Sequence, residues 1–568
     1  MCGIIGCIGS FNSKETILKG LELLEYRGYD SSGLSYVCDN KINITKVPSS
    51  ISKLKEVVTP FKSNIAIGHT RWATHGKISL NNTHPFLSYN KLFSLVHNGT
   101  IDNFEELKRT LMNEGYLFEG DTDSEVIVNY LEYLYLNNKD ILKSLNELDK
   151  VLKGSYSLVI NSSIENSLFF LKNQTSLIIC KDKDGYLISS DVYAFDREKV
   201  SVYEIENHQY GIINETVEIY KDGVREDINY SDIYVKKEDL NNVSCYLEKE
   251  INEAPEVLKN EIDFYLKDNK LNIDKDIINR LKKSSKIVIL GCGSSYHAGL
   301  IFKRLLLNKY DVDIILASEF IYDDYLYNDN ATYIVISQSG ETLDIISSMD
   351  KIKNAFIISI TNNKTSTIAK RATYNLDIMV NKEISVASTK AYLGEIVLLY
   401  LLYCSLTNKD YDSIKALPYY LNITLQRKDE IKEIAKFIKN HKNIYFLGKG
   451  IDYDVALECS LKLKEITYLH SEALYAGELK HGPLALVDKD FPVIIINSDK
   501  RYRKALSTCG MEIVSRGGRV TCFENIDSYP LNFIIQVYFG ELLALYVGEE
   551  LNVNIDKPRN LAKSVTVE

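Results

Sequence analysis

Residues 332–346 read TYIVISQSGETLDII: an apolar, β-branched run, then a stretch of small hydroxyl and amide side chains, then the start of an amphipathic helix. A fully buried strand, a tight turn and a helix in that order form the repeating unit of a parallel sheet covered on both faces. KIVILGCGSSYHAG at 286–299 and AFIISITN at 355–362 carry the same grammar on either side. It returns in NIYFLGKGIDYDVALE at 443–458 and PVIIINSD at 492–499. IVILGCGSSY (287–296) aligns with IYFLGKGIDY (444–453), and the strands ending at Ser337 and Asn497 follow at nearly equal separations. Two copies of one nucleotide-binding-like α/β unit are therefore expected, roughly 250–410 and 425–550, with a boundary near Leu417-Pro418.

In open parallel sheets, ligands sit at the carboxyl ends of the strands, where helix N-termini offer free amides to anions. The first copy has two such turns, Gly291-Cys292-Gly293-Ser294-Ser295 and Ser337-Gln338-Ser339-Gly340-Glu341-Thr342. A GxG turn alone is a weak signal that packing also explains. The second turn crowds three hydroxyls and an amide at a helix start, which packing does not require. At the matching turns the second copy has Lys449 and Asp452, then Asn497-Ser498-Asp499-Lys500, with an acid where an anion would sit. A phosphate site is assigned to the first copy only.

Upstream the pattern differs. Residues 1–220 contain short β-rich runs (CGIIGCIG, LFSLVHNG, YSLVI, SLFFL, GYLISS) and two helical stretches, near NFEELKRTLMNEG and from Asp123 to about Leu136. Runs of strands with few helices predict stacked sheets in an α+β domain. From Lys221 to Glu250 the sequence is polar with little periodicity and reads as a linker.

The opening MCGIIGCIG admits two readings: a buried strand beginning with a small thiol, or removal of Met1 to leave Cys2 as a nucleophile with its own α-amino group as base. GHTRWATHG at 68–76 gathers Arg71, Thr74 and His75 into a possible carboxylate grip. Asn98-Gly99 ends an apolar strand and can supply an amide and a backbone N–H to an oxyanion. Asp123 either caps a helix or holds an ammonium group. Each has a bland structural explanation; their co-occurrence favours the nucleophile. In ALECSLKLKEITYL, Glu458, Lys462 and Glu465 share one helical face, opposite Leu457, Leu461, Lys464 and Tyr468. That face is either a solvated salt-bridge surface or a tuned acid–base group. GELKHGP adds His481 in a shaped loop, and the barely charged tail NLAKSVTVE is expected to lie on protein as a lid.

A net charge of −10 gives no basic field for nucleic acid or anionic lipid. Ten cysteines without a CxxC pair argue against structural zinc and a disulfide framework. The most apolar stretches are interrupted by Glu395, or by Gln536 and Glu541, and read as core helices. With no signal-peptide pattern at the start, a cytoplasmic protein is expected.

SQSGET, EISVASTKAY, LKLKEITYLHSEALYAGELKHGPLALV and KPRNLAKSVTVE, in that order after MCGIIG, resemble the glutamine:fructose-6-phosphate amidotransferase (isomerizing) family over nearly the whole chain. The resemblance implies an N-terminal-nucleophile glutaminase domain of stacked antiparallel sheets at 1–225 and a linker at 226–249. Two sugar-isomerase (SIS) units with parallel sheets follow at 250–415 and 416–555, and a tail at 556–568. It implies glutamine hydrolysis by Cys2, an oxyanion hole at Asn98 and Gly99, and glutamine binding by Arg71, Thr74, His75 and Asp123. Trp72, the single tryptophan, matches an ammonia gate. On the sugar side it implies Glu465 as base, Lys462 as its partner, His481 in ring opening and Lys563 as imine-forming amine. Sugar-phosphate contacts fall to Ser294, Ser295, Ser337, Gln338, Ser339, Thr342, Val386, Ala387, Ser388, Glu458 and Ala562. The expected substrates are L-glutamine and fructose 6-phosphate, with no cofactor, metal, nucleic acid or membrane, in a homodimer or higher homo-oligomer.

The family's Gly-Thr-Ser is Gly293-Ser294-Ser295 here, and Ser385 and Lys382 depart from its glycine-rich lead into the EISVASTK segment. The latter change could alter which ketose phosphate fits. The chain lacks the long insertions of regulated members, so no nucleotide-sugar feedback site is expected. A paralogue acting on another ketose phosphate and a non-catalytic SIS sugar-phosphate sensor remain as alternatives.

Overall fold

The computed structural model describes every residue except 1, 73–76, 236–239, 241–242, 324–327, 329, 353 and 565–568. Its chain forms two compact units, Met1–Glu238 and Asp239–Ser564.

In the first unit an eight-stranded antiparallel sheet runs, by strand, Ser231–Tyr234, Lys199–Glu204, Ile178–Asp182, Gly185–Ser189, Gly3–Gly9, Ile65–Arg71, Ser31–Cys38 and Lys41–Val47. A seven-stranded antiparallel sheet runs Val224–Glu226, Val217–Lys221, Gln209–Ile213, Leu168–Asn173, Gly154–Ser162, Phe93–Ile101 and Phe86–Leu87. Side chains alternate across each strand. Ile4 and Ile8 meet Ile65, Val96 and Val159 between the two sheets, while Ile5 and Cys7 turn outward onto the helix Ser13–Leu24. The other face of the seven-stranded sheet is covered by Phe104–Asn113, Asp123–Asn138 and Ile141–Val151. The first strand is apolar throughout because both its faces are buried.

The polar stretch read as a linker is partly structured. Val224–Glu226 and Ser231–Tyr234 are the outermost strands of the two sheets, and a helix begins at Tyr246. An outermost strand hydrogen-bonds on one side only and keeps exposed side chains, so its sequence reads as loop.

In the second unit five parallel strands are ordered Val312–Leu316, Ile287–Gly291, Thr332–Ile336, Phe356–Thr361 and Tyr374–Asp377. Four more follow the same plan: His470–Tyr475, Asn443–Gly448, Pro492–Ile495 and Arg519–Cys522. The internal repeat is visible in the packing. Ile287 and Ile289 of one copy and Ile444 and Phe446 of the other face a common core, whereas Val288 and Leu290, and Tyr445 and Leu447, face separate outer cores. The copies therefore share one continuous interior. It is filled by the helices Lys390–Thr407 and Asn532–Glu550. Lys390–Thr407 is long and apolar enough to cross a membrane, but 89% of it is buried inside the fold, as a core helix is.

Candidate active sites

In the first unit, Cys2 lies just before the strand Gly3–Gly9, beside the end of Ile65–Arg71. Its Sγ accepts the Trp72 N–H at 3.2 Å, and its carbonyl accepts Asn98 Nδ2 at 3.0 Å and Arg27 Nε at 3.1 Å. EYRGYD supplies that arginine, and its glycine is sterically required. A Cβ on Gly28 would lie 2.7 Å from the backbone of Arg71 and Trp72. Burial pushes the Cys7 thiol up to about 12, whereas Cys2 is partly exposed.

Asn98 and Gly99 end the strand Phe93–Ile101. Gly99 has φ +125°, and a Cβ there would sit 1.9 Å from the Ser155 carbonyl, so only glycine fits. Asp123 is not an N-cap. Thr122 holds that position, and Asp123 is the first helical residue, its Oδ2 accepting the Ile101 N–H at 3.0 Å. Arg71 is buried at the end of its strand. Desolvation lowers its pKa, and the neighbouring Asp30 and Asp123 carboxylates oppose that shift. Cys2, Asn98, Arg71, Trp72 and Asp123 thus converge from four separate segments. Thr74 and His75 lie outside the described residues.

In the second unit, the helix Ile451–Thr467 inverts the solvated-face expectation. Glu458 and Lys462 are buried and Glu465 half-buried, while Leu457 and Leu461 are half-buried and Lys464 exposed. Lys462 Nζ donates to Glu465 Oε2 at 2.7 Å and lies 3.5 Å from Glu458 Oε1. Burial opposes the charge on Lys462, but the two carboxylates hold its pKa above the ordinary lysine value. Glu458 accepts Ser294 Oγ at 2.8 Å and meets His297 Nδ1 at 2.7 Å. Burial raises its pKa, and Lys462, His297 and Ser294 outweigh that and keep it low. Ser295 Oγ donates to the buried Glu395 at 2.8 Å. The hydroxyls of the first turn are thus engaged with carboxylates.

The second turn is built differently. Ser337 Oγ accepts the Gly340 N–H at 3.1 Å and pairs with Thr342 Oγ1 at 2.8 Å, just before the helix Leu343–Lys351. Gln338 is half-buried, and Ser339 Oγ meets Ser564 Oγ at 2.9 Å. The tail lies on protein. Asp556 accepts the Tyr246 and Leu247 N–H groups at 2.9 and 2.8 Å, and its carbonyl accepts Val386 N–H at 2.9 Å. The Arg559 N–H donates to Tyr468 Oη at 2.8 Å. Past the half-buried Ala562, Lys563 Nζ pairs with Glu383, whose other oxygen accepts Thr389 and Ala391 N–H. The tail amine, the 383–388 segment with Val386, Ala387 and Ser388, and the Ser339 hydroxyl thereby meet in one place.

Ser385 is buried, and its hydroxyl contacts Glu250 and the Ala387 carbonyl. The replacement of glycine is thus absorbed internally. His481, expected in a shaped loop outside any helix, ends a short 3-10 turn, Glu478–His481; it is exposed, and no contact joins it to Lys462 or Glu465 among the described residues.

In the second copy, the Asp452 carboxylate accepts Ser498 N–H at 3.0 Å, the Ser498 hydroxyl and Asp499 N–H at 3.3 Å. An internal anion occupies the turn where the first copy keeps hydroxyls.

Sequence reasoning missed His297, Glu383 and Glu250. Ser294 and His297 stand three residues apart on one helical face, which was a usable signal. Glu383 opens the EISVASTK segment but carries no local sign of its partner.

Residues 69–197 match the glutamine amidotransferase domain family, and residues 280–405 and 437–527 match the SIS domain family. The chain is 35% identical over 615 residues to glutamine--fructose-6-phosphate aminotransferase [isomerizing] of Clostridium perfringens, covering all of both chains. The relative of that name from Caldanaerobacter subterraneus is 36% identical over 611 residues, again with full coverage of both. Among solved structures, the C-terminal domain of glucosamine-fructose-6-phosphate aminotransferase from Francisella tularensis is 28% identical with a TM-score of 0.52, covering 57% of this chain and all of that one. Two site clusters, two domain families in the expected order and full-length similarity agree: the chain belongs to the glutamine--fructose-6-phosphate aminotransferase (isomerizing) family.

Proposed function

We propose that this chain converts fructose 6-phosphate and L-glutamine to glucosamine 6-phosphate and glutamate. After loss of Met1, the Cys2 thiolate attacks the side-chain amide carbon of glutamine, with the α-amino group taking the thiol proton. Asn98 Nδ2 and the Gly99 N–H stabilise the oxyanion; Arg71 binds the substrate carboxylate and Asp123 its ammonium. Collapse expels ammonia, and water hydrolyses the thioester. Trp72 acts as the gate for that ammonia.

The Ser337–Thr342 turn anchors the sugar phosphate, His481 opens the ring, and Lys563 forms an imine at C2. Ammonia displaces Lys563 from C2. Glu465 then carries a proton from C1 to C2, with Lys462 holding Glu465 in place. The observation that most directly supports this reading is the docked tail, with Lys563 on Glu383 and Ser564 on Ser339. Because His481 is exposed and apart from the Lys462 cluster, the reading includes a homodimer in which the partner copy completes the sugar site; sedimentation measures that state. The reading also keeps the enzyme in the cytoplasm.

The test is incubation with glutamine and fructose 6-phosphate. Amino-sugar phosphate should form; Cys2→Ala should abolish it with glutamine and retain it with concentrated ammonia. Loss of both activities in that variant would refute the division of labour.

A further inference from the structure

His69 lies in the strand Ile65–Arg71 and is 1% exposed. Its Nε2 faces two oxygens, the His97 carbonyl at 2.9 Å and Asn98 Oδ1 at 3.1 Å. The first accepts only. The second is identified as oxygen by the opposite end of the same amide, where Nδ2 donates to the Cys2 carbonyl. Nε2 must therefore carry the proton and donate it. Burial, reinforced by Arg71 and His97, pushes the His69 pKa down to about 3 against those two hydrogen bonds, so the ring stays neutral.

The ring is also held in place. Its face lies against His84 with centroids 3.9 Å apart, and His84 is itself fixed by Phe86 at 4.8 Å and by Ser124 Oγ at 3.0 Å. Ser124 Oγ also meets His97 Nδ1 at 2.9 Å and donates to Asp123 Oδ1 at 3.3 Å. A buried polar network thus runs from Asp123 through two histidines to the amide beside Cys2.

We propose that His69 is a positioning residue for glutamine hydrolysis, donating from Nε2 to Asn98 Oδ1 so that the Asn98 N–H edge faces the Cys2 reaction centre. This rests on the role assigned above to Asn98. In the resting chain two bonds orient the amide. Of the two Nδ2 hydrogens one serves the Cys2 carbonyl and the other is open to an oxyanion, while the His69 bond fixes the oxygen end of the amide. Without it, rotation about the terminal torsion would turn an acceptor oxygen toward a forming negative charge.

The test uses the full chain and glutamate release from glutamine. His69→Leu removes the donor, and kcat should fall about 10- to 100-fold, part of what an oxyanion donor supplies, with KM changed less than about 3-fold. His69→Gln keeps an amide donor and should stay within about 5-fold of the wild type. The decisive comparison is with Asn98→Ala: adding His69→Leu to that variant should slow it no further. Iodoacetamide alkylation of Cys2 and thermal unfolding check the fold; should His69→Leu fail them, His69→Asn, whose donor falls short of Asn98, takes its place. Multiplicative losses in the double variant, a loss carried by KM, or His69→Gln as slow as His69→Leu would each overturn the positioning role alone. A wild-type chain that releases no glutamate, or an Asn98→Ala variant as fast as wild type, would instead overturn the glutaminase assignment beneath it.

Discussion

Glu250 should make the second unit less stable as pH rises, and Glu250→Gln should abolish that dependence. The side chain is 2% exposed, and its Oε1 accepts N–H groups from Ile384 and Ser385. Its Oε2 meets the Ser385 hydroxyl, which also lies 3.2 Å from the Ala387 carbonyl. One hydroxyl proton cannot serve both oxygens. A protonated Glu250 resolves the conflict by donating to Ser385 Oγ, which then donates to Ala387. Burial, with the like charge of Glu383, pushes Glu250 up to about 8 from an ordinary 4.5, against Lys563, Lys390 and Ser385.

Between those values the folded unit holds a proton that the unfolded chain has lost, so unfolding free energy falls by about 1.36 kcal/mol per pH unit. The contribution is fully present below pH 4.5 and is lost as pH climbs toward 8. From pH 5 to pH 8 the loss amounts to about 3–4 kcal/mol. For a unit of about 330 residues, with an unfolding entropy near 0.7 kcal/mol/K, that is about 5 °C in Tm. Glutamine is isosteric and donates to Ser385 Oγ at every pH. Thermal unfolding of the two proteins, followed by calorimetry at several pH values, should show curves that meet near pH 5 and diverge by about 5 °C at pH 8, the variant being the more stable. Parallel curves would refute the protonated-Glu250 assignment.

Glu383→Gln removes the charge that holds Lys563; losing a charged hydrogen bond of about 1.5–3 kcal/mol should shift tail docking about 10- to 150-fold toward release. Limited proteolysis read by mass spectrometry should then clip the C-terminus while glutaminase activity persists. Lys462→Met leaves Glu458 and Glu465 without their cation and should cost about 3–5 kcal/mol in urea unfolding, with sugar conversion lost. Gly99→Ala drives a Cβ into the Ser155 carbonyl; glutamate release should drop at least about 100-fold while ammonia-dependent synthesis continues. Asp452→Ala leaves the Ser498 and Asp499 N–H donors without their acceptor and should lower stability by about 1–3 kcal/mol; an unchanged denaturation midpoint would mean water replaces the carboxylate at no cost.

Much of this architecture was legible because burial on two faces writes itself as continuous apolar strands. Gly3–Gly9 and Ile287–Gly291 look alike in sequence, and their flanking segments separate an antiparallel sandwich from a parallel sheet. The acid at Asp452 was legible as well, since an anion cannot share a turn with a carboxylate. What stayed hidden depended on distant partners. Glu458 meets His297 across 161 residues and Lys563 meets Glu383 across 180, and no local pattern encodes either contact. The charged face of Ile451–Thr467 admitted both a solvated and a buried reading, because Leu457 and Leu461 suggest an apolar stripe opposite it. The helix is packed by Gly293–Leu306 and Asn532–Glu550, and that leaves the leucine side nearer solvent.

Stability does not account for the charges in that interior. A buried ion pair is often no better than well-packed apolar side chains of the same volume, because removing ions from water costs several kcal/mol each. An enzyme that needed only a sound core could place leucine or methionine at Glu458 and Lys462. The two copies of the α/β unit separate the explanations. In the second, Asp452 sits at a turn with all its donors internal, a self-satisfied carboxylate that closes the place to an outside anion. In the first, the Ser337 and Thr342 hydroxyls pair with each other, while Lys462, on the second copy's helix, holds Glu465 and Glu458, and Glu458 in turn accepts Ser294 of the first. With the sugar phosphate on the Ser337–Thr342 turn, as proposed, the aspartate that fills the second copy's turn leaves that anion one place to bind, beside the docked tail with Ser564 on Ser339 and Lys563 on Glu383.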